Sequence, residues 1–399
     1  MTGDKDIRVL TFTTLYPNSI QKNHGVFVEN RLRHLVASGQ ISARVVAPVP
    51  WFPFRSRALG RYADFAQVPF EETRFDIEIH HPRYPVIPKI GMTLAPFLLY
   101  WATRNALERQ LASGFNFDLI DAHFFYPDGV AAALLGKHFK KPVVITARGT
   151  DINLIPRYTL PRRMIRWAAD NATGLVTVSE ALKRELEILG VDPERILVLR
   201  NGVELSVFKP MDRDAARNQL GFQGLTVLSV GHLIPRKGHE LVIKALTTLP
   251  DANLVLVGEG PEHSSLVNLA RELGVADRVR FLGQIEHERM CEIYNAADVL
   301  VLASDREGWA NVLLESMACG TPVVASSVWG TPEIVRSPAA GLLLPDRQPQ
   351  TIAKSIRALL QNPPERTETR AYAEKFDWSQ TTQGQLDLFH EILDREAAP

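Results

Sequence analysis

Cysteine is nearly missing from this chain, which has only Cys291 and Cys319 among 399 residues. One pair cannot make a disulfide framework, and so little cysteine fits a reducing compartment. Long hydrophobic runs are missing too. The longest low-polarity stretch, GMTLAPFLLYWA at residues 91–102, falls short of the ~20 apolar residues that span a bilayer. The N-terminal residues carry early acids and an apolar run too short for a signal peptide. The expectation is a cytoplasmic protein, at most lying on the inner face of a membrane. Overall charge is absent as well, with 45 Lys+Arg against 45 Asp+Glu, and no nucleic-acid partner is expected. The first turn, LYPNSIQKNHG at residues 15–25, lacks G-x-G-x-x-G, which argues against a nicotinamide oxidoreductase. No compact His, Asp, Glu or Cys cluster has metal-ligand spacing, so neither a metal nor a tightly held cofactor is expected.

A hydrophobic fraction of 45% with 23% charged residues describes a globular chain with a sizeable core. Residues 1–200 hold 26 Lys+Arg against 19 Asp+Glu, and the remainder reverses that imbalance. The plain reading is scatter over two folded halves; the sharper one is a basic half facing anionic lipid or phosphate. Short β-rich runs alternate with helical spacing from IRVLTFTTL onward, and the rhythm restarts at LTVLSVGHL after residue 210. Alternation of this kind implies parallel sheets covered on both faces. The expected architecture is α/β, with two Rossmann-like doubly wound domains. The expected boundaries are a first domain at 1–205, a second at 206–375 and a C-terminal helical segment at 376–399. Ligands of such sheets bind outside the carboxyl ends of strands, so substrate is expected in the cleft between domains.

Three turns carry chemistry. SDREGWANVLLESMACGTPVVAS, residues 304–326, follows an apolar strand, so its head is a loop and NVLLESMACG a helix capped by Asn311. That loop supplies a carboxylate, Glu307, a glycine allowing close backbone approach, Gly308, and the amides of a helix start. A second carboxylate, Glu315, stands about one turn in. Acids accept from sugar hydroxyls and amides donate to phosphate, although a lone acid pair reads more simply as solvated surface. The second turn, VGHLIPRKGHE, places Gly231, Arg236 and Lys237 where two cations can reach a diphosphate. The third, VGEGPE, adds two glycines after another strand.

Occurring in order in one sheet, these turns closely resemble the retaining family-four glycosyltransferases of GT-B fold. Their hallmark E-x7-E is matched by Glu307 and Glu315, with GEGP, NGV at 201–203 and ESMACGTPVVAS as further matches. The resemblance implies transfer of a hexose-type unit from a nucleotide-diphosphate sugar, of UDP or GDP type, to an acceptor hydroxyl. The departing phosphate oxygen takes the acceptor proton, without metal or cofactor. By resemblance, Glu307 meets the donor sugar's hydroxyls beside the amides of Gly308, Trp309, Ala310 and Asn311. Glu315 holds the ribose, and Lys237 with Arg236 neutralises the leaving diphosphate. The backbone from Gly283 to Ile285 lies near the base, and Gly25 admits phosphate to the first domain. The resemblance makes 1–205 the acceptor-binding domain and 206–375 the nucleotide-sugar domain, with the helix at 376–399 crossing back to the first.

Two positions depart from the family. His232 replaces the arginine that usually follows Gly231, and Arg148 replaces the histidine before G-T-D. Arg148 cannot accept a hydrogen bond, so its role is electrostatic or acceptor-binding. The RGTD variant resembles cell-surface polysaccharide and teichuronic-acid-type transferases, which implies a glycan or lipid-linked acceptor. Candidate acceptor residues are His123, Asp128, Arg148 and Asp151. Basic-aromatic segments at 51–62 and 155–167 suit peripheral membrane contact, or are plain surface with snorkelling arginines. The rival readings are a sugar-nucleotide epimerase of the same fold and a homologue that binds without catalysis.

Overall fold

The computed structural model describes residues 6–51, 61–86, 91–112 and 114–397. Two compact units divide the chain, one formed by Met1–Arg200 with Ser379–Pro399 and the other by Asn201–Trp378. The divisions fall earlier than 205 and later than 375 because residues 201–203 are bound into the second unit. There Val203 N–H donates to the Phe376 carbonyl at 2.9 Å, and a Cβ on Gly202 would lie 2.8 Å from the Asp377 backbone.

The first unit contains β1 (Ile7–Phe12), β2 (Ile41–Val46), β3 (Val49–Trp51), β4 (Glu71–Arg74), β5 (Ile77–His80) and β6 (Arg83–Pro85). It continues with β7 (Leu119–His123), β8 (Val143–Ala147), β9 (Gly174–Thr177) and β10 (Ile196–Val198). Eight of these form one sheet in the order β10-β9-β8-β7-β1-β2-β5-β4, while β3 and β6 pair separately. Every pairing in the large sheet is parallel except β4 with β5. Strands β7 and β8 are buried at every residue, as expected of strands covered by helices on both faces. The β4–β5 hairpin escaped the sequence reading because its turn is Phe75-Asp76, not a glycine pair. Both residues have positive φ, 49° and 60°, as a two-residue type I′ turn requires.

The second unit holds β11 (Leu225–Val230), β12 (Ala252–Val257), β13 (Val279–Phe281), β14 (Val299–Leu302), β15 (Val323–Ser326) and β16 (Gly341–Leu344). Their order, β13-β12-β11-β14-β15-β16, is that of a doubly wound dinucleotide-type sheet, and all pairings are parallel. The chain leaves β11 toward opposite edges in its two halves, so a crevice opens outside the carboxyl ends of β11 and β14. The first unit has the corresponding switch between β1 and β7.

Helix Ser379–Ala397 belongs to the first unit, where Leu386, Phe389 and Ile392 enter the core with Val9, Val45, Leu119 and Val144. Close approach to the sheet is built into two glycines. A Cβ at Gly174 would meet Ile392 at 3.0 Å, and one at Gly384 would meet Leu199 at 2.7 Å. Phe389 is fully buried although ten residues from the end of the chain. Phe389→Ala should therefore cost about 3–5 kcal/mol in chemical unfolding of the first unit, as a central core truncation does. A change within about 0.5 kcal/mol would show that the helix is not part of that core.

Candidate functional site

Glu307 sits at the switch point of the second unit and is only 7% exposed. Its Oε1 accepts from Lys237 Nζ at 2.6 Å and from Ser304 Oγ at 2.7 Å. Arg236 Nη1 stands 3.7 Å from Oε2 and donates to the Arg306 carbonyl at 2.6 Å. Burial opposes the carboxylate's charge, but Lys237 and Arg236, with the hydrogen bonds from Lys237 and Ser304, hold its pKa below the ordinary value. The pair is thus a contact between cations and an ionised carboxylate. Lys237 is not the exposed lysine that a loop position suggests, since its side chain is 14% accessible.

The three glycine turns are one physical object. Gly258 N–H donates to the Gly283 carbonyl at 2.8 Å, and Gly231 N–H donates to the Val257 carbonyl at 2.9 Å. Gly258 has φ 137°, and a Cβ there would collide with the Gly231 carbonyl oxygen. Gly238, with φ 68°, lies so close to Ala303 that a Cβ would collide with its carbonyl. A Cβ at Gly231 would lie 3.3 Å from Lys237 Cε, so the lysine stem runs over the bare glycine toward Glu307. His232 is exposed beside this turn.

Glu315 lies in helix Asn311–Ala318, and its Oε2 accepts from Tyr294 Oη at 2.8 Å. Asn311 is the first helical residue and not the expected cap. Ala310 holds the cap position without a side-chain hydrogen bond. The Asn311 side chain instead accepts from Asn201 Nδ2 at 3.3 Å. Trp309 is buried, and its indole donates to the Asn201 carbonyl at 3.1 Å. Gly308 and Ile285 are half-buried on the loops around this crevice.

In the first unit, the backbone turns sharply after β7, with Phe124 at φ 85°, a strained value for a residue with a side chain. His123 is buried at that turn, its Nδ1 2.7 Å from Arg148 Nη2 and its Nε2 3.3 Å from Asp121 Oδ2. Burial, and then the Arg148 charge, push the imidazole down to about 4, against the pull of Asp121. The ring is therefore neutral, with Nδ1 accepting from arginine and Nε2–H donating to Asp121. Asp121 also accepts from Gln385 Nε2 at 2.8 Å, and Gln385 in turn accepts from Arg31 Nε. Arg31 and Gln385 were not foreseen as part of this network.

Asp151 is fully buried and accepts from the N–H groups of Phe125 and Gly149, both at 2.7 Å, and of Arg148 at 3.2 Å. It fixes the loop carrying Arg148. Asp128, also fully buried, accepts from Thr14 N–H at 2.6 Å and from the hydroxyls of Thr14 and Thr13. It ties the end of β1 to the turn after β7. Gly25, at φ 78°, packs where a Cβ would collide with the Leu15 carbonyl. Beside it lies a cavity of about 180 Å³ lined by Thr14, Asn18, His24, Phe65, His81 and Tyr84. Among the described residues, no group of His, Cys, Asp or Glu could hold a metal ion.

The sequence profile for glycosyltransferase family 4 matches residues 24–207, and that for glycosyl transferases group 1 matches residues 212–376. The chain is 39% identical over 243 residues to a D-inositol 3-phosphate glycosyltransferase of Acidothermus cellulolyticus, covering 56% of this chain and 54% of that one. The chain thus spans about half the length of that curated relative. Among solved structures, sucrose-phosphate synthase from Thermosynechococcus elongatus superposes with a TM-score of 0.81 at 21% identity, covering 98% of this chain and 100% of the other. Anabaena HepE, solved in complex with UDP, gives 0.72 at 22%, covering 96% and 100%. At these identities the likeness establishes the GT-B fold.

Burial raises the Asp128 pKa to about 7, against the hydrogen bonds from Thr14 and Thr13. Its folded value lies above its unfolded value of roughly 3.9. Its contribution to stability is therefore fully present below about pH 4 and lost as pH rises through about 7. The difference in unfolding free energy between wild type and Asp128→Asn should shrink as pH rises from 4 to 7 in urea titrations. A flat difference would mean that the carboxylate stays ionised across that range.

Proposed function

We propose, for a chain whose two halves match the profiles of glycosyltransferase family 4 and glycosyl transferases group 1, that it moves a sugar from a nucleotide-diphosphate donor to an acceptor hydroxyl with retention of configuration. The observation that carries this reading is the Lys237–Glu307 contact at the switch point between β11 and β14. Lys237 and Arg236 take the diphosphate and stabilise the charge that grows on it as it leaves. Glu307, released from the lysine, accepts from hydroxyls of the donor sugar, and backbone amides from Gly308 to Asn311 lie along the same loop. Glu315, oriented by Tyr294, accepts from the ribose. No protein carboxylate need attack the sugar, because the departing phosphate oxygen can take the acceptor proton. A UDP-type donor is in keeping with the UDP held by the Anabaena structure.

For the acceptor we favour a lipid-linked glycan reached at a membrane surface, as in polysaccharide synthesis on the cytoplasmic face. Helix Ala95–Ala112 exposes Phe97 and Trp101, with Leu94 just before it. The start of helix Thr159–Asn171 exposes Leu160, Arg162 and Arg163, next to exposed Tyr158. Both helices contact the turn Phe125–Gly129. Phe52, Phe54, Arg55 and Arg57, the other basic-aromatic segment, lie outside the described residues. Among the described residues, no helix is long and apolar enough to cross a membrane. A small polyol phosphate is the second reading. It is favoured by the name of the 39%-identical relative and by the partly polar cavity beside Gly25.

Removing Lys237 strands a buried carboxylate, so Lys237→Ala should lower both the melting temperature and, by ~10²–10³, the turnover. The charge-neutral pair Lys237→Met with Glu307→Gln should recover the melting temperature while leaving turnover low. Recovery of both, with donor sugar and a product of unchanged anomeric configuration followed by NMR, would remove the diphosphate role. Release of an epimerised sugar without acceptor would instead point to the epimerase.

The membrane reading predicts co-sedimentation with anionic vesicles that weakens as salt rises, each nearby Arg contributing roughly 1 kcal/mol. Phe97→Ser with Trp101→Ser should weaken it at every salt concentration. Wild type remaining in the supernatant at low salt would favour the soluble polyol acceptor.

A further inference from the structure

The chain's only two cysteines meet. Cys291, on helix Met290–Ala296, and Cys319, just past helix Asn311–Ala318, have sulfurs 3.7 Å apart. They are 28 residues apart in sequence, and both are free and buried. Neither takes part in the chemistry described above. One turn along the same helices is the Tyr294–Glu315 hydrogen bond, so the thiols and the ribose-facing carboxylate share one helix contact. The Thr321 hydroxyl, which donates to the Tyr294 carbonyl at 2.6 Å, pins that contact further.

We propose that Cys291 and Cys319 form a reversible dithiol–disulfide site, oxidised by small disulfides, whose closure displaces Glu315 and weakens nucleotide binding. The effect on nucleotide rests on the function proposed above; the disulfide chemistry does not. Cys291 is the attacking group. The hydrogen bond from the Cys319 thiol draws its pKa down to about 6 despite burial, while burial pushes Cys319 up. Access is from the side of residues 209–211, where the Cys291 sulfur donates to the Lys209 carbonyl at 3.4 Å and lies 3.6 Å from Met211 Sδ, while Asn295 Nδ2 donates to it at 3.5 Å. Lys209 and Met211 belong to an exposed segment outside any helix or strand. The Cys291 thiolate attacks one sulfur of the small disulfide and expels a thiolate, which takes a proton. The Cys319 sulfur then attacks the mixed disulfide, loses its proton and expels the second small thiol. Two protein thiols are oxidised and one disulfide is reduced to two thiols. A disulfide bond of ~2.05 Å needs the sulfurs, 3.7 Å apart, to close by well over an ångström, and the proposed closure shifts the helix contact carrying Tyr294 and Glu315 with them.

The test incubates the full chain with oxidised glutathione, then measures intact mass, free thiols after unfolding, and the thermal shift given by UDP. The expected product is monomeric, two hydrogens lighter, without titratable thiol, and restored by dithiothreitol. Its apparent UDP affinity should fall about tenfold or more, as ångström-scale misplacement in a site can cost far more. Cys291→Ser should keep one free thiol and an unchanged UDP response under the same treatment, and Cys319→Ala should form only the mixed disulfide. Two intact thiols after treatment, or a disulfide joining two chains, would overturn the site. An internal disulfide with an unaltered UDP response would overturn the coupling to Glu315. Failure of UDP, GDP and ADP to shift even the reduced protein would count against the proposed function while leaving the mass result to decide the disulfide.

Discussion

Lys237 and Glu307 are seventy residues apart in sequence, and the lysine, with Arg236, keeps the buried carboxylate ionised where burial alone would neutralise it. That support depends on backbone. Lys237 crosses Gly231 because no side chain blocks it, Gly231 sits against Gly258 for the same reason, and Gly258 is hydrogen-bonded to Gly283. The strand order of the sheet brings these turns side by side. A side chain at Gly258 would collide with the Gly231 carbonyl, and one at Gly231 would press on the stem of Lys237, so a change at either reaches the charged pair.

The first unit builds its switch point from different material. Buried carboxylates lock its loops: Asp128 binds the end of β1, and Asp151 binds the loop bearing Arg148. Arg148 and Asp121 then hold His123 as one neutral tautomer, and Gln385 on the last helix extends the chain of contacts to Arg31. Arg148 is suited to this contact. It donates to the buried imidazole already present and supplies charge without needing to accept.

The alternation of strand and helix was legible because fully buried parallel strands are near-continuous apolar runs, and the glycine turns were legible because positive φ leaves few other choices. The E-x7-E spacing was legible as one loop plus the opening of a helix. Burial of side chains was not. His123, Asp128 and Asp151 read as acids and a base at strand ends, while the structure spends the two aspartates on backbone N–H groups. Asp121 carried a signal that could have been used, since a carboxylate inside the apolar run LIDAH demands a buried partner. Gln385 carried none, because it lies 264 residues away on a helix that is polar at many positions. The helix start at Asn311 was misplaced because asparagine is a favoured cap, whereas here its amide is engaged by Asn201.

The most direct measurement is calorimetric titration of the reduced protein with a nucleoside diphosphate beside its parent nucleoside, for uridine, guanosine and adenosine. The Lys237–Glu307 account predicts that one diphosphate binds at a single site and that its nucleoside binds far more weakly, because the diphosphate meets the two cations. It also predicts that the binding weakens with added salt. Equal binding of nucleoside and diphosphate, or no heat from any diphosphate, would contradict it.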